Sequence, residues 1–192
     1  MAAKAAAAAG QQTVTMPGEA VTAALVQKLA CQLLDLDREI KDTGKLITSR
    51  FRSHHQGRII ESLPGMGPIL GAQFLVATGG RPLEAFASPG RLASYAGLVP
   101  VPRDSGRVTG NYHRPRRYCR PLRQVFYMMA LSSIRPEGPS KAFYQRKRDE
   151  NKVHAQALLA LARRLVDVLW ALLRDNRIYT PAPPSRINAT AA

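Results

Sequence analysis

The sequence predicts a mainly α-helical fold: a long coiled-coil-like helix, then a compact helical domain with a helix-hairpin-helix-like turn and an extended arginine-rich loop. Three observations predict it. Apolar residues recur at steps of three and four along two long stretches, near the beginning and the end of the chain. Between them, Gly and Pro pairs cut the sequence into segments of short-helix length. The one stretch that cannot be helical, Val99-Pro100-Val101-Pro102, leads straight into the densest run of arginines.

A leader, 1–18, contains an alanine run interrupted by Lys4 and is read as disordered. The first long helix is expected from about Glu19 to Phe51, within a segment 19–57. Its residues Val26, Leu29, Leu33, Leu36, Ile40 and Ile47 follow a heptad seam broken only by Thr43, while Asp35, Asp37, Arg38, Glu39 and Lys41 fall off that seam. Such a helix either joins two protomers or packs on its own domain, and the first reading is favoured because nothing before it could cover the seam.

The compact domain is expected over 58–180. Leu63-Pro64-Gly65-Met66-Gly67-Pro68 separates a short helix ending near Ser62 from one running from Pro68 to Ala77. As a helix-hairpin-helix turn, with Gly65 and Gly67 as its glycines, it would aim backbone N–H groups at a phosphate; as a tight helical turn it would do nothing more. Both readings stand equally. After a loop from Arg81 to Ala87, Ser88 caps a short helix with Pro89 at its first position, and Gly97 closes it. Pro121 opens a helix with Leu122, Val125, Phe126 and Met129 on its apolar face. Ser140 is expected to cap the next, and the last helix, about Val153 to Arg174, buries Leu158, Ala162, Leu165, Leu169, Leu172 and Leu173. His154 reads as a surface or capping residue. A tail, 181–192, rich in Pro and Ala, is read as disordered.

The chain has 192 residues, enough for one domain with appendages, and a formal net charge of +15. That charge favours a polyanion, nucleic acid first, because each neutralised phosphate releases counterions. A membrane-surface role would need a basic amphipathic helix, yet the charge is densest in a loop, and no run is long enough to span a membrane. Cys31 and Cys119 lie far apart without partners at metal-ligand spacing, so they read as free thiols of a reducing, cytoplasmic compartment. No metal site is expected in this chain.

From Arg103 to Arg123 there are seven arginines, no lysine and one acid, Asp104. Guanidinium groups bind phosphate bidentately, so Arg103, Arg107, Arg114, Arg116, Arg117, Arg120 and Arg123 are candidate nucleic-acid contacts. Arg120 and Arg123 fall in the first turn of a helix, where cations oppose the dipole unless an anion is present. Within Arg103-Asp104-Ser105-Gly106-Arg107, a turn would lift the Ser105 hydroxyl out of regular structure between two cations, making it a candidate nucleophile. Turn formation alone also explains Asp-Ser-Gly. Tyr112, His113, Arg114 and Tyr118 supply the residue types of a tyrosine recombinase, but that chemistry draws its groups from distant segments and is ranked below the serine.

The order of motifs carries a further observation. Leu63-Pro64-Gly65-Met66-Gly67-Pro68, then Ser88-Pro89-Gly90-Arg91-Leu92-Ala93-Ser94-Tyr95-Ala96-Gly97-Leu98-Val99-Pro100, then Asp104-Ser105-Gly106, Leu122-Arg123 and Ala142-Phe143-Tyr144 resemble the C-terminal transposase domain of the IS-110 type family, over about Ile59 to Pro181. The resemblance implies a DNA transposase acting as a site-specific recombinase, with Ser105 as nucleophile, a structured guide RNA as partner, and composite active sites shared across a dimer through the 26–47 helix. It also implies an N-terminal acidic domain that binds Mg2+. That domain is not in this sequence, where Asp35, Asp37, Glu39 and Asp42 follow a helical pattern, so the chain is expected to be the coiled coil plus the serine half, left by truncation or a misplaced start. No cofactor is expected in the chain itself, and activity alone is doubtful. The family's Lys-Arg-Gly-Asn-like segment is replaced by Arg114-Pro115-Arg116-Arg117-Tyr118. A non-catalytic, dimerising nucleic-acid-binding fragment is the alternative.

Overall fold

The computed structural model describes residues 17–113 and 115–181; the leader 1–16, Arg114 and the tail 182–192 lie outside the described residues, and with them the expectations placed there. The observed elements are α1 (Glu19–Ser53), α2 (Gly57–Glu61), α3 (Pro68–Ala77), α4 (Pro82–Ala85), α5 (Pro89–Tyr95), β1 (Val101–Pro102), β2 (Tyr112–His113), α6 (Arg120–Ser133), α7 (Pro139–Asp149) and α8 (His154–Arg174). The fold is mainly helical, as the periodicity predicts. Two compact units divide at Lys45 and Leu46.

In the first unit, α1 presents Val26, Leu29, Leu33, Leu36 and Ile40 to solvent, each between 54 and 69% exposed. Its charges satisfy one another along the helix: Arg38 with Asp35, Lys41 with Asp37, Lys45 with Asp42. These pairs are exposed and each contributes only a few tenths of a kcal/mol. The helix therefore carries an exposed apolar stripe, with Leu25 and Leu34 exposed beside it.

In the second unit, α8 is the central element, packed by α2, α4, α5, α6 and α7. The six residues expected on its buried face are buried, together with Ala157, Leu161, Val166 and Trp170. Such a wide apolar stripe needs neighbours on several sides, and the short helices supply them. Leu122, Val125, Phe126 and Met129 of α6 are fully buried, and Phe126 meets Phe74 of α3 edge to face at 5.9 Å. The last turns of α1 belong here through Phe51, which is 3% exposed. Its aromatic ring fits only because Gly71 has no side chain: a Cβ there would lie 2.4 Å from the ring.

Three local expectations need correction. The loop from Arg81 to Ala87 contains the single-turn helix α4, because Pro82 fixes a helical φ and Glu84 completes the turn beside Arg81. α7 begins at Pro139 with Gly138 in the cap position, and Ser140 lies inside its first turn, buried. α6 starts at Arg120, with Cys119 in the cap position and Pro121 second. Among the described residues no helix is long and apolar enough to cross a membrane.

Candidate functional site

The arginine-rich stretch leaves the core at α5. Ser88 caps that helix, its Oγ accepting from Arg91 N at 3.3 Å. Gly97 then adopts φ +68°, and Leu98 N donates back to Ala93 O at 2.9 Å, which closes the helix and turns the chain outward. Val101 and Pro102 follow in extended conformation and pair with His113 and Tyr112 in an antiparallel hairpin. A two-stranded ribbon has only edges, so Pro102 removes no ladder bond that a third strand would need.

The hairpin narrows towards Ser105. Arg103 N donates to Asn111 O at 2.8 Å, and Ser105 and Val108 exchange both backbone hydrogen bonds, at 3.0 and 2.9 Å. Gly106 and Arg107 form the two-residue tip, and neither has positive φ, so the turn does not match the twist of the strands. The mismatch is absorbed one step later. Two residues on the outgoing side face three on the return, a β-bulge in which Gly110 takes φ +79°. Asp104 bridges the irregularity, its Oδ1 accepting from Asn111 N at 2.9 Å. The single acid among the arginines thus holds the backbone that presents the serine.

Ser105 is exposed, as are Arg103, Gly106 and Arg107. Arg103 lies two residues before Ser105, and Arg107 sits in the tip itself. The arrangement offers a hydroxyl at the end of a ribbon with cations on both sides in sequence.

Of the remaining arginines, Arg116, Arg117 and Arg120 are exposed, and Arg114 lies outside the described residues. Arg123 is different. Its Nη1 donates to Gly97 O, and its guanidinium stacks at 5.3 Å over the Tyr118 ring. That carbonyl follows the C-terminus of α5, where a cation is favourable, so the expected conflict with the dipole of α6 is answered within the protein. Cys119 N donates to Tyr95 O at 2.8 Å and ties the end of the loop to the end of α5. The charge the Cys119 sulfur carries on ionising, with its hydrogen bond, holds the Tyr95 hydroxyl above its ordinary range. Tyr118, Arg120, Arg123, Gln124 and Tyr127 line an open groove of about 430 Å3 beside this knot.

The two hairpin glycines separate. Gly65, at φ +81°, abuts α6, and a Cβ would lie 2.4 Å from Met129 O; its glycine identity is explained by helix packing. Gly67 occupies the cap position of α3 with open space around it. Sequence reasoning missed the role of Tyr118 as a structural wedge, for which its place between two arginines gave a misleading polar context. It also missed that Tyr144 Oη and His154 Nδ1 meet at 2.7 Å across α7 and α8, a pairing ten residues apart that no periodicity marks.

Among the described residues no three His, Cys, Asp or Glu side chains gather, and Asp35, Asp37 and Asp42 of α1 are each held by a cation.

Known proteins share much of this sequence. The profile of the family described as transposase IS116/IS110/IS902 matches residues 57–145, from α2 to α7. An uncharacterized 44.8 kDa protein of insertion element IS116 from Streptomyces clavuligerus is 56% identical over 96% of this chain and 46% of its own length. An uncharacterized 42 kDa protein of insertion element IS900 from Mycobacterium paratuberculosis is 54% identical over 91% of this chain and 44% of its own. A pilin gene-inverting protein of Moraxella bovis is 28% identical over 77% of this chain and 45% of its own. The chain spans about half the length of the curated relatives it matches. Residues 57–145 of this chain are a transposase domain of the IS116/IS110/IS902 family.

Proposed function

We propose that this chain is the serine-bearing part of a DNA recombinase, and that Ser105 attacks a phosphodiester during transposition. The observation that carries the reading is the exposed Ser105 at the tip of a hairpin whose backbone is fixed by Asp104 and flanked by Arg103 and Arg107. In the reaction, Ser105 Oγ forms a bond to phosphorus, the bond from phosphorus to one sugar oxygen breaks, and the serine proton passes through solvent to that oxygen. The phosphoserine ester conserves the bond, so attack by the sugar hydroxyl of another strand rejoins DNA and restores the serine. Arg103, Arg107, Arg116, Arg117 and Arg120 supply the cations that stabilise the charged phosphorus centre, the largest contribution in reactions of this type.

The gene-inverting activity named for the Moraxella relative supports DNA rearrangement as the reaction class. A structured guide RNA is the second proposed partner, held by the same basic surface, and Mg2+ is proposed to act only through a separate acidic domain. A second copy of the chain is the third, joined along Val26, Leu29, Leu33, Leu36 and Ile40, whose exposure leaves the stripe free for it. The second reading is a non-catalytic, dimerising nucleic-acid binder, which needs only the exposed arginines and the apolar stripe of α1.

The test supplies the acidic domain, by fusion or in trans, with donor DNA, target DNA and guide RNA. Ser105→Ala should abolish the covalent protein–DNA adduct while Tyr118→Phe and Tyr112→Phe retain it. An adduct that survives Ser105→Ala and disappears with either tyrosine would assign the chemistry to tyrosine instead.

A further inference from the structure

Below the hairpin, between its base and α8, lies a cavity of about 770 Å3. It is a spacious recess of the second unit with an appreciable apolar lining, and the arginine cluster does not account for it. Leu98 and Leu159 line it with Tyr112 of β2, and Lys152, Gln156 and Arg163 come from the α7–α8 turn and α8. None of its lining residues is a carboxylate. Glu150, the acid closest in sequence to Lys152, is engaged by Lys147 at 2.7 Å, which leaves the cavity rim positive; Arg163 also reaches Asp167, outside the lining, at 2.5 Å.

The chemistry of this lining is that of one nucleotide. Apolar side chains with an aromatic ring suit the faces of a base, a side-chain amide suits its edge, and two of the three lining cations, Lys152 and Arg163, suit its phosphate. The volume lies within the range of sites that enclose such a ligand. Tyr112 is 66% exposed, unusual for a tyrosine at the edge of a cavity and available for stacking. Pro102, its partner across the hairpin, lies three residues before Ser105, about 10 Å along the ribbon. A strand lying along the hairpin with its attacked phosphate at Ser105 would bring a neighbouring nucleotide to this recess.

We infer that the cavity between the hairpin base and α8 binds a single unstacked nucleotide of the DNA strand attacked at Ser105, with its base on Tyr112 and its phosphate between Lys152 and Arg163. The site rests on the proposed function for its position relative to the reaction, but not for its binding chemistry. It would hold one strand apart from its complement, and it gives the protein a preference for unpaired over duplex DNA near the cut.

The experiment uses the full chain and fluorescein-labelled single-stranded oligodeoxynucleotides, read by anisotropy, with a parallel set carrying 2-aminopurine at successive positions. Tyr112→Ala should weaken binding by about 5- to 100-fold, the range that loss of one base–aromatic stack produces, while Tyr112→Phe retains it. One position should show 2-aminopurine quenching that Tyr112→Ala removes, and an abasic site at that same position should reproduce the loss with no change in the protein. Lys152→Ala should weaken binding and flatten its salt dependence. Equal affinity for the abasic and intact strands, unchanged binding by Tyr112→Ala, or tighter binding of duplex or of RNA of the same sequence would overturn the assignment. Loss of binding on Arg116→Ala with Arg117→Ala but not on Tyr112→Ala would sink the nucleotide site and leave the proposed function standing. No binding of any nucleic acid would sink both.

Discussion

The ring of Tyr118 lies against the backbone of Gly97, where a Cβ would come within 2.6 Å of its Cγ, and Arg123 stacks over that ring while bonding the Gly97 carbonyl. The start and the end of the arginine-rich excursion are thereby locked together. The hairpin between them hangs from this clasp, so its precision limits the precision with which Ser105 can be presented.

Gly97→Ala should therefore be costly twice over. It places a methyl group in the Tyr118 ring and forces an L side chain to adopt φ +68°. A loss of about 2 to 4 kcal/mol in urea unfolding is expected from these two effects together, with a larger fractional loss of adduct formation than of helix content. Tyr118→Ala should recover part of the stability of the double variant by making room. Additive losses in Gly97→Ala with Tyr118→Ala would show that the two positions do not act on one another.

Phe51 should be the residue whose truncation most damages the join between the end of α1 and the core. It is 3% exposed, its ring fills the space opposite Gly71, and its carbonyl oxygen closes on Gly57, where a Cβ would lie 2.3 Å away. Phe51→Ala is expected to cost about 3 to 5 kcal/mol. Gly71→Ala should also destabilise, by overpacking, despite the higher helix propensity of alanine. A stabilised Gly71→Ala protein, read by thermal unfolding, would contradict the packing.

Much of this fold was legible in the sequence, and the reasons are local. The seam of α1, the Pro68 to Ala77 helix, the Ser88 cap, the Gly97 stop and the buried face of α8 follow from periodicity and from residues whose backbone preferences are strong. α4 was missed because a single turn has no period to read. The candidate site was legible as chemistry but not as arrangement. Seven arginines look alike in a sequence, while only the fold separates Arg123, which braces Tyr118, from exposed Arg116 and Arg117. Gly65 was likewise ambiguous until its close approach to Met129 became visible.

Stability should depend on pH through His54. Burial first, and then the neighbouring charge of His55, hold its imidazole below the ordinary range, outweighing its hydrogen bond with the Gly80 backbone. Its Nδ1 also accepts from Gln56 N at 3.2 Å, which requires that nitrogen to be unprotonated. Because the folded pKa is depressed, the unfolded chain binds the proton more readily, and stability is present above the unfolded value of about 6.5 and declines as pH falls through the folded value. The melting temperature should drop as pH falls from about 7.5 through the unfolded value of about 6.5 towards the depressed folded one, and His54→Gln should flatten that drop. An identical pH profile in His54→Gln would remove His54 as its source.

Arg116 and Arg117 should act as phosphate contacts, since both are exposed on the loop while the domain's glutamates Glu61, Glu84, Glu137 and Glu150 are held by Arg52, Arg81, Lys141 and Lys147. Replacing both with alanine should weaken binding to duplexes of any sequence by a similar factor. The slope of log affinity against log salt should become shallower by about 0.9 for each phosphate that is no longer neutralised. Arg123→Ala should instead lower stability through the Gly97 and Tyr118 clasp. A variant lacking Arg116 and Arg117 that keeps the full salt slope would show that phosphate is bound elsewhere.

The stripe on α1 sets the last expectation. Val26, Leu29, Leu33, Leu36 and Ile40 are spaced for a two-stranded seam, and Asp35, Asp37 and Asp42 are already paired with cations along the helix. Each leucine or isoleucine covered by a partner helix contributes about 2 kcal/mol. Leu33→Lys with Ile40→Lys should therefore convert a dimer to a monomer in sedimentation equilibrium at micromolar concentration. Thermal unfolding of the core built from Leu46 onward should change little, because neither side chain belongs to it. A wild-type chain that sediments as a monomer throughout that range would show that the stripe serves another partner.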